Sequence, residues 1–284
     1  MNKFGTAALS LALAGALALP AFAAEETLVL ISADLNVYGT AITLNGTAVD
    51  TSDIPAASQD DLLPMRRVAE SDHGSAYWDE ENREAWFNFG KDRIVVNFNQ
   101  NTITVNDQAV DVEFELHDGV TYISSDIFTG WENYTVTWAD PTAEGFSAVD
   151  ITTPNNDPMV KLAYEIMDNS QMFGSRTDED MLAEAYNLPV DQFEQIVAFF
   201  PMITSPDTVI IGKLAEGADE KAVTDALEAY RQSQEDTFSW YLSQHLPKVQ
   251  DARTVIEDGY VFFFIGEKAD EAEQMFRDYV QAQA

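Results

Sequence analysis

Leu44-Asn45-Gly46 returns 61 residues later as Val105-Asn106-Asp107, and Trp78-Asp79 returns as Trp138-Ala139-Asp140, with the tryptophans 60 apart. Text that repeats at a fixed interval describes a duplicated structural unit before any single residue describes a chemistry. Asn45-Gly46 is a two-residue hairpin signal, because a type I′ turn needs positive φ at both central positions. Strand–turn–strand is therefore expected over residues 41–49. Residues 62–70 read differently: Pro64 sits where a strand ends and a helix begins, and Met65, Val68 and Ala69 fall at helical spacing. A hairpin follows at 76–89, turning at Glu80-Glu81-Asn82-Arg83, then strands at Ile94–Phe98 and Thr102–Val105. The second copy repeats the order with strands at 112–116 and 120–123, a short helix near Ser124–Phe128, and a strand ending at Trp138. Each copy reads β-β-(short helix)-β-β. The copies diverge where Ser124-Ser125-Asp126 replaces Pro64-Met65-Arg66. Strand-like text also stands upstream, at Leu28–Ile31 and from Val37 onward.

The stretches "ITLNGTAV", "LLPMRRVAE" and "YWDEENREAWFNFG" resemble the copper amine oxidase N-terminal-like domain found on secreted bacterial proteins, over about residues 36–140. Asn45, Gly46, Pro64, Arg66, Trp78 and Trp138 carry the motif, and the resemblance implies a non-catalytic stalk remote from the copper and quinone chemistry. Arg66 is expected to hold a carboxylate or backbone carbonyls. The oxidases' copper site needs three histidines, whereas His73, His117 and His245 form no H-x-H pair. Asn133-Tyr134-Thr135 supplies two of the three residues around a quinone-forming tyrosine. Amine oxidation is not expected, and no cofactor or metal is assigned.

The chain opens Met1-Asn2-Lys3, runs through an apolar segment from Ala7 to Leu19, and reaches Pro20-Ala21-Phe22-Ala23. A short positive region, a hydrophobic stretch and a small-x-small site make a secretory signal peptide, cut after Ala23 or Ala24. The run is too short for a spanning helix. Export to the extracellular space or the cell envelope is the expected localisation, with no membrane insertion after cleavage. The chain has no cysteine, so thiol catalysis, disulfides and a lipoprotein anchor are all excluded. Fifteen Lys and Arg face 49 Asp and Glu, a formal charge of −34. Such a surface repels phosphate backbones and anionic lipid, which excludes a nucleic-acid partner.

Residues 141–157, with Pro141, Gly145, Pro154, Asn155-Asn156 and Asp157-Pro158, read as a linker between a domain at 27–140 and a second at 158–284. Beyond it, helices are expected at 159–167 and 179–186, capped by Thr177-Asp178, with a third short one at 191–200. Thr208–Ile211 reads as a strand ended by Gly212. A long amphipathic helix is expected over 220–246, carrying Val223, Leu227, Tyr230, Phe238, Tyr241 and Leu242. Thr254–Ile256 and Tyr260–Ile265 form a hairpin, and the apolar run of its second strand suits a strand buried on both faces. A helix at 269–281 closes the chain. The fold class is α+β: a duplicated β-β-α-β-β stalk-like module, then a helical lead-in and an antiparallel sheet covered by helices (β-α-β-β-α), two of which cover one face. This half, about 158–282, resembles a domain of unknown function on small exported proteins of Gram-positive bacteria, through "VIIGKLAEGADEKAVTDALEAYRQSQ" and "VIEDGYVFFFIGEKADEAEQMF".

No G-x-S-x-G, H-E-x-x-H or Walker motif is present, and neither 50–61 nor 72–81 fits a calcium loop. His73 and His117 precede turn residues, and His245 stands near a helix end. Tyr77 and Trp78 are strand neighbours and point to opposite faces, so one of them is a candidate surface aromatic for a glycan or protein partner. The expected function is a secreted, non-catalytic envelope or extracellular binding module. Its partner would be a cell-wall glycan or another envelope protein. The alternatives are a hydrolase of envelope glycan or peptide, and a cation-responsive acidic surface protein.

Overall fold

Exchange of hairpins between the two sequence copies organises the N-terminal domain. In the computed structural model, which describes residues 40–139, 147–201 and 204–283, the first copy contains β1 (Ala41–Leu44), β2 (Thr47–Ala48), β3 (Leu62–Pro64), helix α1 (Met65–Ser71), β4 (Ser75–Asp79), β5 (Glu84–Phe89) and β6 (Asp92–Asn97). The second contains β7 (Thr102–Val105), β8 (Gln108–Ala109), β9 (Phe114–His117), β10 (Val120–Ser124), a 3₁₀ turn at Ser125–Phe128, β11 (Thr135–Ala139) and β12 (Ala148–Thr152). The expected signal peptide and the strand at 28–31 lie outside the described residues.

The sheets run β11-β12-β1-β2, β3-β10-β9 and β4-β5-β6-β7-β8. Thus the hairpin of the first copy completes the second copy's sheet, and the hairpin of the second completes the first's. Between them Leu63 pairs with Ile123, its counterpart at the 60-residue offset of the tryptophans. One core results, with Ile42, Met65, Phe87, Ile94, Ile123 and Ile151 all buried in it. No local unit could bury these faces by itself, since a lone hairpin is marginal in water.

The stretch expected as a linker is partly a strand. β12 pairs antiparallel with β11 and parallel with β1, Ala41 opposite Ala148 through Leu44 opposite Ile151. Val149 and Ile151 are buried, and that burial outweighs the turn-forming residues on either side. The first domain therefore continues to Thr152. A 3₁₀ turn at Pro154–Asn156 then leads directly into helix α2 (Pro158–Ser170).

The second domain adds β13 (Gly174–Arg176), helix α3 (Glu179–Tyr186), β14 (Phe193–Pro201), β15 (Thr208–Leu214), helices α4 (Glu220–Phe238) and α5 (Leu246–Gln250), β16 (Arg253–Glu257), β17 (Tyr260–Ile265) and helix α6 (Ala269–Gln283). Its sheet is antiparallel in the order β13-β14-β15-β17-β16. Four expectations are corrected here. Residues 193–201 are a strand, because Ile196 to Phe200 alternate between two cores rather than lining one helix face. Helices cover both faces: α2 and α6 lie over Val197, Phe199, Phe262 and Phe264, while α3, α4 and α5 lie over Ala198, Phe200, Phe263 and Ile265. β15 runs through Gly212, where a Cβ would sit 2.5 Å from the Phe193 ring, so the missing side chain is what admits that ring. The long helix stops at Phe238; Leu242 takes a left-handed φ of 55°, and Pro247 forbids a continuous helix through the segment before it. Tyr241 consequently leaves the expected stripe and is exposed beside Trp240.

Candidate functional site on the first domain

The five-stranded sheet has one face on the core and one in water, and strict alternation assigns each residue. Along β5, Ala85, Phe87 and Phe89 are buried while Glu84, Trp86 and Asn88 turn outward. Along β6, Ile94 and Val96 are buried while Arg93, Val95 and Asn97 turn outward. The same rule separates the two candidate aromatics. Trp78 packs on the core, its ring 5.9 Å from Phe98, and donates from Nε1 to Glu80 Oε2 at 2.6 Å. Tyr77 points the other way and is 61% exposed.

Tyr77 faces Trp86 across the strands, Trp86 faces Val95, and Val95 faces Thr104. Tyr77 and Trp86 meet edge to face at 6.4 Å. The Arg93 guanidinium covers Trp86 at 5.2 Å from its centroid, a cation–π contact. Arg93 Nη2 donates to Asp107 at 2.8 Å, while its buried Nε has no acceptor among the described residues. Glu84 accepts from Trp86 Nε1 at 3.0 Å and Asn97 Nδ2 at 2.8 Å. Asn88 donates to Ser75 Oγ at 3.0 Å. These bonds hold the side chains in one arrangement, so little rotamer freedom is left to lose when something docks.

Asn45 and Gly46 form the positive-φ turn, at 52° and 81°. Pro64 occupies the extended position immediately before α1, with no side-chain capping bond. Trp138 is 37% exposed and donates to Ser125 Oγ at 3.2 Å. Arg66 is corrected: it is exposed and has no hydrogen-bond partner among the described residues, and its neighbour Arg67 instead forks onto Asp53 at 2.7 and 2.6 Å. The three histidines sit apart, His73 stacked on Tyr164, His117 beside Asp118 and His245 edge-on to Phe238. Among the described residues no group of three or more His, Cys, Asp or Glu is placed to hold a metal.

A second polar site, with no signal in the sequence, joins the domains. Asn45 Nδ2 donates to Asp72 Oδ1 at 3.1 Å and to Thr153 Oγ1 at 2.9 Å, and its Oδ1 accepts from Thr153 N at 2.9 Å. Thr153 Oγ1 donates to Asp72 Oδ1 at 2.7 Å. Burial pushes the Asp72 carboxyl up to about 6, against the pull of its hydrogen bonds from Thr153, Asn155 and Asn45. From α2, Lys161 Nζ donates to Asn45 O at 3.2 Å and Asn156 Oδ1 at 2.6 Å. The Tyr164 ring is held between His73 of the first domain, stacked at 3.7 Å, and Phe199 of the second, at 4.8 Å. Burial pushes its hydroxyl up to about 12. The cluster is closed by its own bonds and works as a joint.

Comparison with protein families finds one match in each half of the chain. Residues 43–144 match the copper amine oxidase N-terminal domain. In that family the N-terminal domain is a non-catalytic stalk. Residues 167–266 match a domain of unknown function, DUF4358, in the order the sequence motifs imply. No match was found among curated proteins or solved structures. Among the described residues no helix is long and apolar enough to cross a membrane.

Proposed function

We propose that this is an exported, non-catalytic binding protein of the cell envelope, in which the copper amine oxidase N-terminal domain presents its Tyr77 face to an envelope component. The observation that carries the reading is the 61% exposed Tyr77 ring set edge to face against Trp86, whose indole donates to Glu84 and lies under the Arg93 guanidinium. An isolated surface aromatic is ordinary, but one backed by Trp86, Arg93 and Glu84 in fixed positions is a prepared surface. The signal-peptide pattern at residues 1–23 supports export, and the charge of −34 supports a role away from anionic lipid and nucleic acid. The joint at Asn45 and Asp72 would fix the orientation of the DUF4358 domain relative to whatever the first domain holds.

The test is co-sedimentation of the protein, lacking residues 1–23, with the insoluble envelope fraction of the producing cells. Wild type and Trp240→Ala, which alters an exposed aromatic of the second domain, are expected to sediment; Tyr77→Ala is expected to stay in the supernatant. Failure of wild type to sediment, or equal sedimentation of Tyr77→Ala, overturns the proposal.

A further inference from the structure

The chemistry of the Tyr77 face narrows what it would hold. Three rows cross the strands side by side: Tyr77, Trp86, Val95 and Thr104 in the centre, Ser75, Asn88 and Arg93 on one flank, and Asp79, Glu84, Asn97 and Thr102 on the other. Four strands about 4.8 Å apart make the central row about 14 Å long. An aromatic ring carries a negative π face, which attracts the weakly positive C–H groups on the flat side of a sugar ring. The flanking rows supply short amide, hydroxyl and carboxylate groups at the height where the hydroxyls of such a ring would lie.

Charge sets the rest. The Arg93 cation is paired with Asp107 and shared with the Trp86 ring, and Glu84 is bound by two donors. The face is therefore hydrogen-bonding without a free cation of its own, on a chain of charge −34. A polyanion has nothing to neutralise it there. A stable protein partner needs about 800 Å² on each side with an apolar centre, and only Tyr77, Trp86 and Val95 are apolar in this row.

Resting on the envelope-binding reading, we infer that the ligand of this face is an uncharged or amine-bearing polysaccharide strand, lying across the sheet along Tyr77, Trp86, Val95 and Thr104. Tyr77 supplies the stacking ring, Trp86 and Val95 the apolar floor, and Asn88, Glu84 and Asn97 the hydroxyl contacts.

The test uses the same protein in titration calorimetry and intrinsic tryptophan fluorescence. The probes are β-linked N-acetylhexosamine oligomers, their de-N-acetylated forms, and a polyuronate of similar length. Binding of one or both of the first two is expected, with a change in tryptophan emission that is absent in Trp86→Phe. Tyr77→Ala should weaken it at least tenfold, Tyr77→Phe should leave it within about threefold, and the polyuronate should not bind. Circular dichroism and the melting temperature serve as fold controls, and Tyr77→Phe keeps the ring if Tyr77→Ala fails to fold. Preference for the polyuronate, or oligomer affinity indifferent to Tyr77, overturns the inference. Envelope sedimentation separates the two levels. If it depends on Tyr77 but is abolished by protease treatment of the envelope and survives glycan hydrolases, the partner is a protein and only the ligand class falls. If wild type does not sediment, the binding reading falls with it.

Discussion

The two asparagine turns of the repeat perform the same local task in different surroundings. Asn45 accepts the amide of Thr153 and donates to the carboxylate of Asp72. Asn106 accepts the amide of Arg93 at 2.9 Å and donates to the carboxylate of Asp92 at 2.7 Å. Both have positive φ, 52° and 49°. Around Asn106 the partners belong to the exposed end of one sheet. Around Asn45 they are buried and come from two distant parts of the chain, Asp72 and Thr153, and the Asn45 carbonyl also accepts from Lys161 of the second domain. The duplicated motif is a local device for turning a hairpin. What makes one copy a domain joint is the company that the chain path brings to it.

The sheets show why the paths differ. β5 and β7 are parallel to each other with β6 between them, whereas their counterparts β12 and β1 pair directly and in parallel. The second copy lacks an equivalent of β6, and the chain at that point enters Thr153 and α2 instead.

The contrast can be broken most directly by removing each side chain without disturbing the positive φ. Asn45→Gly is expected to cost about 3 kcal/mol in urea unfolding, because buried donors and an acceptor lose partners. Asn106→Gly should cost about 1 kcal/mol or less, since water replaces what is lost. Equal costs would show that the two environments are equivalent after all.

Asp72→Asn is next in size. The folded carboxyl is raised to about 6 from 3.8, so the protonated form is favoured by folding. Stability from this group is full below about 3.8 and is lost as pH rises through 6, by up to about 3 kcal/mol. His73 works in the opposite sense, because burial, partly opposed by Asp168, lowers it. The difference between wild type and Asp72→Asn isolates the carboxyl: the variant should match wild type near pH 4 and be the more stable at pH 7.5. A difference independent of pH between 4 and 7.5 would contradict the assignment.

His73→Asn keeps a residue that tolerates positive φ and removes the stack on Tyr164. It is expected to cost about 1 kcal/mol and to leave unfolding of the two domains coupled through Asn45. Two separated transitions in that variant would make the stack, rather than the hydrogen-bonded cluster, the principal joint. Asp107→Gly should have the smallest effect. It loses an exposed ion pair to Arg93 worth about 0.5 kcal/mol and relieves a φ of 65°, so the melting temperature should change by about a degree or less.

Much of the fold could be read from local pattern. The hairpin at Asn45-Gly46, the strand-to-helix junction at Pro64, α3 at its exact expected span of 179–186, and the hairpin of β16 and β17 all follow from turn chemistry, capping and periodicity. β14 was missed because a strand buried on both faces has no alternation to show; its "IVAFF" run between Pro189 and Pro201 is the signal that could have found it. β12 was missed because turn residues on both sides masked a short apolar segment. Of the candidate face, the strand rule offers Tyr77 or Trp78 without choosing between them, and Trp86, Arg93 and Glu84 join it only through cross-strand register. Asp72 carried no signal, since its partners stand at positions 45, 153 and 155.

The sequence by itself determined the repeat, the turns, the acidic surface, the absence of thiol chemistry and the class of each half, because each depends on neighbours along the chain or on composition. Only the tertiary structure decided that the copies exchange hairpins, that Tyr77 faces water and Trp78 the core, and that Asn45 locks two domains while Asn106 closes one turn. Those outcomes depend on burial shared by residues far apart in the chain, and burial is settled only when the whole core closes.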